Sequence, residues 1–197
     1  SKDDVLTWHN NYIRFFDNAE YAISNTENVN SVINKKLLLG ILDNCRNVLL
    51  IIMNHKLFSD DFNNNTLMEI SSMNNKDFFE IYKILFKVED VMSNICFKND
   101  FLIDKDYICN TVNESKKILT KDLLIEESQK VKEDYSKDYR AYREIDNFGE
   151  NYTAVSLYKE KRNDNNKAIN ACGLSYGGIE LPIIAKIVDK NKVESLI

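Results

Sequence analysis

Gly173-Leu174-Ser175-Tyr176-Gly177-Gly178-Ile179-Glu180-Leu181-Pro182 is the stretch whose reading decides the fold. The apolar segment Ala168-Ile169-Asn170-Ala171-Cys172 leads into it, and Ile183-Ile184-Ala185-Lys186-Ile187-Val188 follows. That order reads as a strand over 168–174, a Gly-rich loop, and a helix over 179–188. Gly177 and Gly178 lack a Cβ, so backbone N–H groups can crowd around an anion at the helix N-terminus. Ser175 adds a hydroxyl donor. Pro182, the only proline of the chain, falls near the first helical turn, where its missing N–H costs least.

Upstream of this unit the chain reads as helix. Five glycines and one proline in 197 residues leave few places for tight turns. Apolar residues recurring every three or four positions predict a first helix over 3–24, with Val5, Trp8, Tyr12, Phe15, Ala19 and Ala22 on one face. A second is expected over 29–55, carried by Val32, Ile33, Leu37, Ile41, Leu42, Cys45, Val48, Leu49 and Ile52. Its middle is apolar nearly all round, which predicts the central helix. Asp43, Asn44, Arg46 and Asn47 interrupt the run and exclude a membrane span there.

A third helix is expected over 78–97, with Phe79, Tyr82, Leu85, Phe86, Val91, Met92, Ile95 and Cys96 inward. A short helix over 67–73 and a long polar helix over 110–146, continuous or broken near Thr120-Lys121-Asp122, bearing a stripe of Tyr135, Tyr139 and Tyr142, complete the bundle. Residues 101–109 read equally as a short helix or an irregular crossing. Residues 152–162 read as a short helix in preference to a strand, and 163–166 as a turn. The fold class expected is mainly α: an N-terminal helical bundle domain over 1–147, then a small, incomplete α/β segment over 148–197.

A net charge of -5, from 26 basic and 31 acidic residues, argues against non-specific nucleic-acid binding, which needs a basic surface. Lys159-Glu160-Lys161-Arg162 reads as a solvated helix end. Cys45, Cys96, Cys109 and Cys172 lack the spacing of a zinc knuckle or a redox pair and read as small buried hydrophobes. Free thiols without a leader segment imply a cytoplasmic location. His9 has no ligand partner three or four residues away, so no metal pair forms on that helix. His55, at the expected end of the second helix, complements the helix dipole.

The unit over 168–188 resembles the opening of the phosphoribosyltransferase family, in which an early strand ends in a Gly-Gly loop followed directly by a helix. The resemblance implies that Ser175, Tyr176, Gly177 and Gly178 form the loop that contacts the pyrophosphate of phosphoribosyl pyrophosphate or another phosphate ester. It also implies Mg²⁺ and displacement of pyrophosphate at the ribose anomeric carbon. Tyr176 departs from the basic residue frequent in the family. The family's second signature, paired acidic residues before a Thr-Gly-Thr-like loop, does not occur, and Asp60-Asp61 is no substitute. The resemblance therefore implies an N-terminal portion of such a protein, completed by residues beyond Ile197, with the helical domain as a cap or an oligomerisation surface. No catalytic residue is assignable from the sequence. The alternative is a non-enzymatic helical domain for protein interaction or oligomerisation, whose Gly pair only lets helix and sheet pack closely. Arg46 and His55 resemble the Arg-His pair of HEPN ribonucleases, but nine residues at about 100° each place them on opposite faces of one helix.

Overall fold

A computed structural model describes residues 2–59, 76–120, 147–162, 167–173 and 178–196. Among these residues it is mainly helical with a small two-stranded parallel sheet, as the sequence predicts. The order is α1 (Lys2–Ser24), α2 (Val32–Ser59), α3 (Lys76–Phe97), α4 (Lys105–Thr120), α5 (Phe148–Lys161), β1 (Ile169–Cys172), α6 (Glu180–Val188) and β2 (Val193–Leu196). The expected helix over 67–73, the Tyr135/Tyr139/Tyr142 stripe and the turn at 163–166 lie outside the described residues.

The four N-terminal helices pack in pairs, α1 on α4 and α2 on α3. α2 is the central helix: Leu38, Leu42, Cys45, Val48, Leu49, Ile52 and Met53 are almost fully buried. In its first turns the face carrying Asn34, Lys35 and Leu38 turns inward, Lys35 Nζ reaching the Phe101 carbonyl (2.7 Å), so Val32, Ile33 and Leu37 are exposed, contrary to the expected stripe. Phe79 and Cys96, near the ends of α3, are also exposed, whereas Ile81, Ile84, Leu85 and Val88 fill the core. On α1, Phe16 and Ile23 are buried and Phe15 only partly so. Adjacent residues differ by about 100° around a helix, so only one of the two phenylalanines can centre on the core.

One end of the bundle is tied by polar contacts between loops. Lys105 Nζ donates to the carbonyls of Ser24 (2.6 Å) and Thr26 (3.0 Å), and the Asn30 side-chain oxygen accepts from Ile103 N–H (2.7 Å). Asp104 accepts from the N–H groups of Asp106 and Tyr107 at 3.0 and 3.1 Å. It thereby caps α4 and starts that helix earlier than position 110. α2 continues to Ser59, so His55 is not its last residue. Of the cysteines, all free, only Cys45 is buried; Cys96, in the last turn of α3, and Cys172, the last residue of β1, are exposed, against expectation. No helix among the described residues is long and apolar enough to cross a membrane.

α5 begins one turn before the expected helix because Asn147 caps it, accepting from Gly149 N–H (2.8 Å) and Glu150 N–H (3.3 Å). β1 and β2 pair in parallel, Ile169 opposite Val193 through Cys172 opposite Leu196, with α6 as the crossover. β2 escapes sequence reading because four residues of mixed polarity carry too little periodicity. Ile179, Ile183, Ile184 and Ile187 of the α6 segment belong to the same apolar cluster as Leu42, Leu49, Leu85 and Met92. The crossover helix thus packs directly on α3 and α5.

Candidate functional site

The strand-to-helix turn between β1 and α6 is the site the sequence singles out. Ser175, Tyr176 and Gly177 lie outside the described residues; Gly178 lies within them, half-buried. Its carbonyl accepts from Leu181 N–H (3.3 Å), the bond that opens α6. Ile179, the residue before the helix, is already in helical conformation and offers no side-chain cap. The N–H groups of Gly178, Ile179 and Glu180 find no acceptor among the described residues. A helix start left uncapped in this way presents partial positive charge to whatever occupies the turn.

Gly173, where the chain leaves β1, faces Gly178 across the turn. A Cβ at 173 would overlap the Gly178 carbonyl, lying 2.7 Å from its carbon, and would sit 3.0 Å from Pro182 Cδ. The two ends of the loop can close only with glycine at 173, a constraint the sequence reading placed on 177 and 178 alone.

What fixes α6 in place is a buried ionic cluster that sequence reasoning missed. Arg46 of α2, Glu89 of α3 and Glu180 of α6 are each 3% exposed or less. Arg46 grips Glu180 with two parallel bonds, Nε to Oε1 and Nη2 to Oε2, the latter at 2.7 Å. Its remaining nitrogen, Nη1, reaches Asp43 Oδ1 (3.1 Å) and Asn47 Oδ1 (3.3 Å). Asn151 of α5 donates to Glu180 Oε2 at 3.0 Å. The Phe148 ring closes the cluster, 5.8 Å from the guanidinium carbon, at cation–π distance. Three helices thereby hold the first residue of α6, only two positions after Gly178.

The electrostatics follow from burial and from the fork geometry of arginine. Burial alone would raise the Glu180 carboxyl, but the hydrogen bonds and charge of Arg46, with the Asn151 hydrogen bond, hold it below the usual glutamate range. Burial works against the Arg46 cation, and its bonds and charges, Glu180 first, more than compensate. Glu89 is driven the other way: burial and the adjacent Glu180 carboxylate push it well above the ordinary value, and Arg46 offsets only part. Glu180 would otherwise set an uncompensated negative charge at the start of α6. Its pairing with Arg46 neutralises it.

The sequence signal for this cluster was present. Arg46 interrupts the most apolar helix, and Glu89 sits one residue after the buried Val88 on the inward face of α3. A charge on an otherwise buried face implies a partner. What could not be read was that the partner lies 134 positions away on α6.

Clefts flank the unit. One of about 670 Å³ opens over Arg46, with Lys36, Gly40, Asp43, Asn47 and Asn147 on its polar side. Another, about 370 Å³ and mainly apolar, runs along β1 between Ala154 and Tyr158 of α5 and Leu181, Pro182 and Ala185 of α6. The second edge of β1 is unpaired among the described residues. No group of three or more His, Cys, Asp or Glu side chains among the described residues could hold a metal ion. Comparison with protein-family models, with curated proteins and with solved structures finds no match for this chain.

Proposed function

We propose that this chain is the N-terminal portion of a phosphoribosyltransferase-like protein whose Gly-Gly turn binds the diphosphate of phosphoribosyl pyrophosphate. The observation that carries the reading is the parallel β1–α6–β2 unit with Gly173 and Gly178 pressed together at its strand-to-helix turn. Strand, short glycine loop and uncapped helix start are what a backbone anion cradle requires, since ligands of open parallel sheets lie beyond the carboxyl ends of the strands.

In this reading the N–H groups of Tyr176, Gly177 and Gly178 hold the diphosphate oxygens, and Ser175 donates a further bond. These donors stabilise the charge that grows on the departing pyrophosphate as its bond to the ribose anomeric carbon breaks. The Arg46–Glu180 pair keeps the helix start at a fixed position and neutral overall, so that an incoming anion meets amide dipoles rather than a carboxylate. The described residues offer no cage for Mg²⁺; when present, the ion supplies charge neutralisation to the diphosphate it accompanies.

Isothermal titration of the chain with phosphoribosyl pyrophosphate and Mg²⁺ tests this. The expected result is saturable heat that disappears in Gly177→Val while the circular dichroism spectrum is unchanged. Absence of binding by the unsubstituted chain overturns the reading. The exposed Val32, Ile33 and Leu37 at the start of α2 favour the second reading, a helical interaction domain. That reading predicts no such heat and a concentration-dependent oligomer or partner complex weakened by Ile33→Lys.

A further inference from the structure

Glu89 is completely buried, and neither of its side-chain oxygens finds a hydrogen-bond donor. A carboxylate in that position would have two unmet acceptors in a dry core. The nearest cation is Arg46, but its Nε–H, 3.7 Å from Glu89 Oε1, is already committed to Glu180 Oε1. Arg46 has one positive charge and cannot balance two enclosed carboxylates. Its two-pronged grip on Glu180 fixes where the negative charge resides. Glu89 is then left facing an acceptor, the Glu180 carboxylate, and needs a proton to meet it. The Oε1 atoms of Glu89 and Glu180 converge on the same Arg46 Nε, and two carboxyl groups enclosed around one cation cannot both ionise at low cost, so one keeps its proton.

We infer that Glu89 is a neutral carboxylic acid at neutral pH, donating its proton to Glu180, and that this hydrogen bond is a proton-dependent latch joining α3 of the bundle to the first turn of α6. The charged groups bearing on it come from every element packed there. Arg46 of α2 attracts its anion, Glu180 of α6 repels it, and Asp43 of α2 and Asn151 of α5 act on those two partners. On α4, Glu114 is paired at the surface with Lys87 of α3 (2.8 Å). Loss of the proton turns the bond into a repulsion between α3 and α6, and the crossover helix loosens from the bundle. Burial and Glu180 both raise the Glu89 carboxyl, so the folded chain holds a proton that the unfolded chain releases. Stability contributed by the latch is complete below the ordinary glutamate range and declines as pH rises above it.

The test compares the chain with Glu89→Gln, whose amide keeps a donor toward Glu180 and cannot ionise. Urea unfolding is followed from pH 5 to pH 8.5, and the ratio of the two folding constants is taken at each pH, which cancels every other titration. The expected ratio moves in favour of Glu89→Gln by up to tenfold per pH unit until the Glu89 proton is lost. A ratio independent of pH across the range overturns the inference. Should Glu89→Gln not fold, carboxyl ¹³C resonances of the unsubstituted chain decide. One glutamate carboxyl retaining its protonated shift at pH 7 supports the latch, and all glutamates titrating in the ordinary range overturn it.

Discussion

Replacing Arg46 with Met removes the one cation from the buried cluster while keeping a long, helix-favouring side chain on α2. Glu180 then loses its two arginine bonds and, among the described residues, retains the Asn151 amide as a neutral donor. Removing one partner of a buried ion pair costs about 3–5 kcal/mol, because the carboxylate left behind is neither solvated nor paired. For a chain of 197 residues a loss of that size lowers the melting temperature by about 6–20 °C. It would also consume much of a typical total stability of about 5–15 kcal/mol. The assay is urea unfolding followed by far-ultraviolet circular dichroism, with the triple substitution Arg46→Met, Glu89→Leu, Glu180→Leu in parallel. Replacing the whole cluster by apolar side chains of similar size removes the desolvation penalty together with the attraction. The triple variant is therefore expected within about 1 kcal/mol of the original chain, or above it. A loss below about 1 kcal/mol for Arg46→Met would equate the pair with a surface salt bridge and refute the reasoning. So would a triple variant as unstable as the single one.

Gly173→Ala places a methyl against the Gly178 carbonyl and is expected to cost about 1–3 kcal/mol; hydrogen exchange should show the loss first in the β1 and β2 amides. Asn147→Ala leaves the Gly149 and Glu150 N–H groups without their acceptor, lowering stability by about 1 kcal/mol in urea unfolding. In acid, Glu180 sets the sign. Its carboxyl is held below the ordinary value of 4.5, so its stabilisation is present above that pH and is lost as pH falls through the lower folded value. Unfolding midpoints below pH 4.5 should therefore fall more gently for Glu180→Gln than for the unsubstituted chain.

The helices were legible because each buries one face and the chain has few residues able to interrupt them. Leu42, Val48, Leu49 and Ile52 could be assigned to the core from spacing alone. The errors fall at helix ends. Val32, Ile33, Phe79 and Cys96 carry the right periodicity yet are exposed, and periodicity holds no information about which face a neighbour covers near a helix end. β2 was not legible because its stability comes from pairing with β1, a contact between distant positions. The Gly-rich stretch stands out in the sequence as local chemistry, though Ser175, Tyr176 and Gly177 lie outside the described residues. Its support was not legible, since Arg46 and Glu89 read as charges out of place until α6 supplies Glu180. The exclusive place of Gly173 likewise depends on where Pro182 and Gly178 return in space.

The central claim is that the turn between β1 and α6 holds a diphosphate with its backbone amides. The chain has five glycines, Gly40, Gly149, Gly173, Gly177 and Gly178, and their amide resonances separate well from the rest in a ¹⁵N correlation spectrum. Titration with pyrophosphate and Mg²⁺ is predicted to shift Gly177 and Gly178 in a saturable manner while Gly40 and Gly149 stay in place. Unmoved Gly177 and Gly178 resonances at saturating pyrophosphate would contradict the claim.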